Sequence, residues 1–198
     1  MSQQTPLPKP NSGDPSPDDV SAGLATTSAD SPSSLSTRRR NLLIFVVFTG
    51  VLIAADRASK LAALAAFGNG QSLVVIPGIL ECTLVWNRGA AFGLFEGAGP
   101  LFLAVALFVV GMALVYLLKS RQPRLLVALS LALIVAGAVG NAYDRLASGA
   151  VPDFLHLLFV EFPVFNLADC CLTMGEAGIL LYILLGLRQP TRSKTNQD

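Results

Sequence analysis

The sequence of 198 residues contains little charge, since only 14% of its residues are Asp, Glu, Lys or Arg, against about 25% in an ordinary soluble domain. Its one histidine, His156, leaves a zinc site of the His/Cys type with too few ligands. Its three cysteines are odd in number and two are adjacent, so they do not form a disulfide framework. A net charge of +1 provides no basic face for nucleic acid. These shortages exclude a disulfide-rich secreted domain, a His/Cys zinc centre and a nucleic-acid-binding protein.

Long apolar segments take the place of the missing charge. Hydrophobic residues make up 53% of the chain, and the mean hydropathy is +0.59. The segments 100–118 and 125–143 each hold 19 residues without a charge. A helix needs about 20 such residues to cross a bilayer. The sequence therefore predicts an integral membrane protein with four spans, at about 41–66, 100–118, 125–143 and 166–187.

The first 37 residues differ in composition from the rest, with six prolines and nine serines. Such a stretch buries too little apolar surface to offset its conformational entropy. We therefore divide the chain into a disordered Pro/Ser-rich tail at 1–37, a four-span membrane domain at 38–190 and a short C-terminal tail at 191–198.

The basic residues predict the orientation in the membrane. Ten of the 14 flank the same ends of the four spans, which the positive-inside rule makes cytoplasmic: Lys9, Arg38, Arg39, Arg40, Lys119, Arg121, Arg124, Arg188, Arg192 and Lys194. Both termini, and hence both tails, are then cytoplasmic. Cleavage of span one as a signal peptide is an alternative that would leave three spans.

Two short segments between spans one and two favour strands. Residues 71–76 and 79–86 are rich in Val, Ile, Leu and Thr, and Pro77-Gly78 separates them. The predicted fold class is thus an all-α membrane protein with four transmembrane helices, a small extracytoplasmic β-sheet and a disordered N-terminal tail.

Polar residues are costly at bilayer depth and are functional or paired by default. Here they collect at the outward ends of the spans, in five clusters at 56–60, 87–93, 137–145, 151–154 and 165–169. Ser59 and Lys60 suggest a Ser–Lys dyad, but adjacent helical residues do not face each other, and Lys60 is placed to pair with Asp56 at i,i+4.

Two carboxylates remain as candidates for chemistry. Asp153 lies in a loop that returns to the membrane, and Asp169 lies in the first turn of span four. Two aspartates in a partly dry site share a proton, so that one serves as general base and the other polarises a carbonyl. The alternative is structural: Asp169 caps or pairs locally and Asp153 occupies a turn. From these residues alone, both interpretations stand.

Taken together, the clusters resemble the lipoprotein signal peptidase (type II signal peptidase) family of bacteria. The resemblance lies in five motifs that occur in order along the chain: Asp-Arg-Ala-Ser-Lys at 56–60, Asn-Arg-Gly-Ala-Ala-Phe-Gly at 87–93, Gly-Asn-Ala-Tyr-Asp-Arg at 140–145, Val-Pro-Asp-Phe at 151–154 and Phe-Asn-Leu-Ala-Asp at 165–169. Gly175 occurs at the expected later position.

The resemblance implies a membrane aspartyl endopeptidase that needs no metal or cofactor. Its substrates would be diacylglyceryl-modified prolipoproteins, cleaved just before the lipidated cysteine at the outer face of the inner membrane. By the same resemblance, Asp153 and Asp169 are the catalytic pair. The support and substrate-binding residues would be Asp56, Lys60, Asn87, Gly89, Asn141, Arg145 and Asn166. We expect a monomer that contacts membrane lipid.

Two other classes compete with an enzyme. A small ion- or proton-coupled transporter would also place carboxylates in the membrane, but along a path through it. Only Glu176, about two helical turns beyond Asp169, lies deeper, and we expect it to be uninvolved. A membrane scaffold leaves the five clusters unexplained. We expect Asp144 to pair with Arg145 or to cap its helix.

Overall fold

The computed structural model describes residues 32–89, 99–120 and 124–187. Residues 1–31, which were predicted to be disordered, and the predicted C-terminal tail at 191–198 lie outside these ranges. Within them the elements are four helices and three strands: α1 (Pro32–Phe67), β1 (Ser72–Ile76), β2 (Leu80–Asn87), α2 (Gly99–Lys119), α3 (Leu125–Ser148), β3 (Val151–Leu157) and α4 (Leu167–Leu187).

All four helices are long and apolar enough to cross a membrane. This confirms the four predicted spans and the fold class. Two boundaries differ from the prediction. Helix α1 begins at Pro32, inside the predicted tail, as a proline can because a first-turn residue needs no N–H donor. Helix α3 continues to Ser148, past the predicted end at 143, because its polar residues find partners on other elements.

Helix α3 forms the centre of the bundle. More than half of its spanning window is buried, whereas the other three spans are mostly exposed and have apolar surface suited to lipid. Small residues allow α3 to lie close to its neighbouring helices. A Cβ added at Gly140 would lie 2.6 Å from an Asp56 carboxylate oxygen, and one at Gly137 would collide with the Ala168 carbonyl. The two glycines thus bring α3 against α1 and α4 at the level of the polar clusters.

The strands form one antiparallel sheet in the order β1-β2-β3. The hairpin β1–β2 confirms the two predicted strands. Strand β3 is an addition, because the sequence analysis placed Asp153 in a loop. In the structure Asp153 pairs with Val85 of β2, and Gly149, with a φ of +73°, makes the turn from α3 into β3.

The two ends of the bundle differ in chemistry. At one end α1 and α3 begin and α2 and α4 finish. There the Arg38 guanidinium donates to the Leu118 carbonyl, and Arg124 lies 5.1 Å from the centre of the Tyr182 ring. The sheet lies at the opposite end, where α1 and α3 finish, and it packs against both of these helices.

Candidate active site

Asp169 is held by the start of its own helix. Asn166 immediately precedes α4, and its side-chain oxygen accepts from the Asp169 backbone N–H at 3.1 Å. In return, Asp169 Oδ2 accepts from the Asn166 backbone N–H at 3.1 Å. This reciprocal pair is a capping box with asparagine and aspartate in its two positions. Asp169 thus caps its own helix through Oδ2, which leaves Oδ1 available for another element.

Asp153 projects from β3 and is 2% exposed. Its Oδ2 accepts from Asn87 Nδ2 at 3.0 Å, and its Oδ1 accepts from Asn166 Nδ2 at 2.6 Å. Burial raises the pKa of Asp153 to about 6, because a charged carboxylate is disfavoured away from water. The two amide donors lower that pKa and the nearby Asp169 raises it. Asp153 is thus a strand residue with a perturbed carboxyl group, which makes the turn interpretation wrong.

Asn141 of α3 connects the two carboxylates. Its Nδ2 donates to Asp169 Oδ1 at 2.8 Å, while its Oδ1 accepts from Asn166 Nδ2 at 3.1 Å. The same Asn166 nitrogen donates to Asp153. A chain of two amides therefore runs from one carboxylate to the other, and each carboxylate receives one amide N–H from it.

A buried ion cluster lies beneath this chain. Lys60 is 0% exposed, and its Nζ lies 2.8 Å from Asp56 Oδ2 and 2.6 Å from Asp144 Oδ2. The predicted Asp56–Lys60 pair is thus confirmed. The predicted partner of Asp144 is wrong, because Asp144 Oδ1 bonds to Arg57 at 2.9 Å. Adjacent helical residues diverge by about 100°, which prevents Asp144 from meeting Arg145.

Arg145 ties the loop after β2 to the helix bundle. Its guanidinium donates to the Gly89 carbonyl and to the Asn141 carbonyl at 3.2 Å, and it lies 4.2 Å from the centre of the Phe102 ring. Asn87 closes the turn beneath, since its Oδ1 accepts from the Gly89 N–H at 2.9 Å. The motif residues 90–93 lie outside the described residues.

A cavity of about 830 Å³ opens over the carboxylates. Asp153, Asp169 and Asn141 line one part of it, and apolar side chains of α2 and α3 line another, among them Val105, Val109 and Ile134. A site of this kind accommodates an amphiphilic molecule, with polar groups at the carboxylates and an apolar portion between the helices.

The structure brings all nine predicted site residues to this end of the bundle, in one connected network. Sequence reasoning gave no role to Arg57 or Phe102. Arg57 shares Asp144 with Lys60, and Phe102 lies beneath the Arg145 guanidinium. Both contacts join residues far apart in sequence, so no local pattern signalled them. Glu176 also lines the cavity, and it is exposed.

The fold and the site define a class: a multi-pass membrane protein that holds two carboxylates over an amphiphilic cavity at one end of its bundle. The family model described as signal peptidase (SPase) II matches residues 48–185, a span that includes every residue of the network. The chain belongs to the signal peptidase II family and is a multi-pass bacterial membrane protease.

Individual relatives agree with this assignment. The chain is 38% identical over 145 residues to a lipoprotein signal peptidase of Clostridium acetobutylicum, an alignment covering 72% of this chain and 93% of the relative. It is 40% identical over 133 residues to that of Streptococcus agalactiae serotype V, covering 67% and 86%. A solved bacterial membrane enzyme superposes with a TM-score of 0.69 at 27% identity, covering 77% of this chain and 94% of that chain.

Proposed function

We propose that this enzyme cleaves diacylglyceryl-modified prolipoproteins immediately before the lipidated cysteine. The single observation that carries the proposal is the cavity, which joins the two carboxylates to an apolar lining. The relatives named lipoprotein signal peptidases support the substrate class. A signal helix and two acyl chains remain in apolar surroundings while the scissile bond lies at the carboxylates.

Asp153 and Asp169 form the proposed catalytic pair. In the proposed scheme Asp153 carries the shared proton in the free enzyme, because burial between β3 and the helices raises its pKa to about 6. Asp169 then takes a proton from water, and the water oxygen attacks the scissile carbonyl carbon while Asp153 donates a hydrogen bond to the carbonyl oxygen. Transfer of a proton to the departing amide nitrogen completes the hydrolysis. The proposed hydrolysis requires only these two carboxyl groups and water, without a metal or cofactor.

The amides hold the pair in position. Asn87 and Asn166 donate to the two oxygens of Asp153, and Asn141 donates to Asp169. Arg145 fixes the loop at Gly89 beside the cavity. Asp56 supports the start of α4, because its Oδ1 accepts from the Ala168 N–H at 3.0 Å. Together with Lys60 these are the proposed support and substrate-positioning residues.

The proposed orientation places the site at the outer face of the bacterial inner membrane. The described part of the chain has its site and sheet at the bundle end opposite to Arg38, Lys119 and Arg124, and such basic residues favour the cytoplasmic side. Both tails are then cytoplasmic, and the peptidase domain extends from α1 to about residue 190. We expect a monomer whose exposed apolar helix faces contact lipid.

Membership of a peptidase family decides against the transporter. The geometry is in agreement, since the described site carboxylates collect at one end of the bundle. Glu176 lines the same cavity and does not open a second path.

The pKa of Asp153 predicts a pH dependence. As the pH rises through about 6, Asp153 loses its proton and with it the hydrogen bond to the scissile carbonyl, so kcat/KM falls. Asn87→Leu removes a donor that favours the charged form of Asp153, which raises its pKa. The measurement is kcat/KM from pH 4 to about 9. We expect the decline of kcat/KM at high pH, the alkaline limb of this profile, to move up by about one pH unit.

Glu81→Gln on the same strand is the matched control. Glu81 pairs with His156 at 3.2 Å rather than with Asp153 or Asp169, so the limb should stay in place. A limb that Asn87→Leu leaves unmoved, or moves to lower pH, contradicts the proton assignment.

The substrate class is tested by two forms of one prolipoprotein, one carrying the diacylglyceryl group and one not. Purified full-length protein in lipid should cleave the modified form at least about tenfold faster, because each buried CH₂ contributes about 0.8 kcal/mol to binding. The measurement is kcat/KM for each form by gel shift. Equal kcat/KM values would show that the enzyme does not recognise the diacylglyceryl group, while its peptidase activity would stand.

A further inference from the structure

Lys60 has more contacts than a simple ion pair requires. An ammonium has three donors and no acceptor. The Lys60 ammonium lies 2.6 Å from Asp144 Oδ2 in an ion pair, and it donates to Asp56 Oδ2 at 2.8 Å and to Asn141 Oδ1 at 3.1 Å. The two carboxylates suffice to compensate the buried charge. The third contact, to a neutral amide, serves a different purpose.

The third contact fixes which way the Asn141 amide faces. The oxygen and the NH₂ of an amide are nearly equal in shape, so hydrogen bonding selects between the two orientations. Because Lys60 only donates, Asn141 must turn its oxygen toward the ammonium. Its Nδ2 then faces Asp169 Oδ1 at 2.8 Å. In the opposite orientation a donor would meet the ammonium and an acceptor would meet the carboxylate.

The orientation passes to a second amide. Since Asn141 Oδ1 faces inward, it accepts from Asn166 Nδ2 at 3.1 Å. The same nitrogen donates to Asp153 Oδ1 at 2.6 Å, and the oxygen of Asn166 accepts from the Asp169 N–H. One ammonium thereby determines the donor side of both amides.

We propose that Lys60 is a positioning residue of the peptidase that orients the Asn141 and Asn166 amides, so that each carboxylate of the pair receives an N–H. It contacts neither substrate nor carboxylate pair. This inference rests on the proposed role of Asp153 and Asp169.

The charge of Lys60 adds a second effect, because it lowers the pKa of Asp153. The other charged groups that act on Asp153 are Asp169 of α4 and Arg145 of α3. Strand β2 contributes the neutral amide of Asn87. Removing the ammonium alone would favour the neutral form of Asp153, so the test removes a negative charge together with it.

The test compares two neutral replacements in a charge-balanced background. Asp56→Asn together with Lys60→Met removes one charge of each sign, keeps an acceptor for the Ala168 N–H and leaves Asp144 paired with Arg57. Asp56→Asn with Lys60→Gln does the same but keeps an N–H donor, which reaches Asn141 directly or through one water.

Because each double variant removes one charge of each sign, the two should share the same alkaline limb of the kcat/KM profile. The methionine variant should lose about tenfold or more in kcat/KM at its own optimum, whereas the glutamine variant should stay within about threefold of the parent chain. Arg57→Met is the matched control. It removes a charge from the same cluster without a contact to Asn141, and neither quantity should move.

Equal kcat/KM values for the methionine and glutamine variants overturn the inference. If the methionine variant does not insert, Asp56→Asn with Lys60→Leu replaces it, with the same expectation, since leucine also fills the space without offering Asn141 a donor. Asp153→Asn is assayed in parallel. If Asp153→Asn still cleaves, the proposed function itself is wrong. If Asp153→Asn is inactive and the two double variants have equal kcat/KM values, only the role of Lys60 is overturned.

Discussion

Replacing either Asp153 or Asp169 by asparagine is expected to reduce kcat/KM by about a thousandfold or more, since general acid–base transfer contributes about 10²–10⁴ to such reactions. The scheme needs one proton shared between two carboxyls, and an amide neither accepts nor delivers it. The single variants and the double variant should therefore be about equally inactive, because the pair acts as a unit. Single-turnover cleavage of a lipid-modified prolipoprotein in lipid measures the loss.

Glu176→Gln is the matched control for this prediction. It neutralises another carboxylate that lines the same cavity but lies about two helical turns deeper than Asp169. Its kcat/KM should remain within about threefold of the parent chain. Cleavage retained by an Asp153 or Asp169 variant that inserts normally would rule out the pair.

Asn166 gives the second large effect, because it bonds to both carboxylates. Asn166→Ala removes the N–H to Asp153 and the cap of α4. Asn166→Ser restores a capping oxygen, but its side chain is too short to carry a donor to Asp153. Both variants should lose about a hundredfold in kcat/KM, as misplaced catalytic groups do. The serine variant should be more stable than the alanine variant by about 1 kcal/mol.

The two readouts separate the two roles of Asn166. Thermal unfolding of the purified protein reports the cap, and single-turnover cleavage reports the donor to Asp153. A serine variant with the activity of the parent chain would show that the amide donor is dispensable and that capping alone accounts for this residue.

The bundle was predictable because its signals are local. Uncharged runs of about 20 residues have few structures available other than a membrane span. The β1–β2 hairpin followed from β-branched residues around Pro77-Gly78. Strand β3 was missed because its Val-Pro-Asp-Phe sequence contains two residues that strands disfavour. Pairing with β2, some 70 residues earlier in the chain, outweighs that preference.

The site was predictable to the level of its residues but not of its connections. The Asp56–Lys60 pair follows from i,i+4 spacing on a helix. The bond from Lys60 to Asn141 joins residues 81 positions apart, so no local pattern contains it. For the same reason Asp144 was assigned to its neighbour Arg145 instead of Lys60 and Arg57. Sequence motifs thus identified which polar residues come together, and packing between helices determined their partners.

The most direct test of the account is the identity of the bond that this chain cleaves. Purified full-length protein is incubated in lipid with a diacylglyceryl-modified prolipoprotein, and both products are analysed by mass spectrometry, with Asp169→Asn as the blank. The account predicts one cut, which releases the intact signal peptide and leaves the lipidated cysteine at the new N-terminus, and no cut in the blank. A cut at another bond, or equal cleavage by the Asp169→Asn variant, would contradict it.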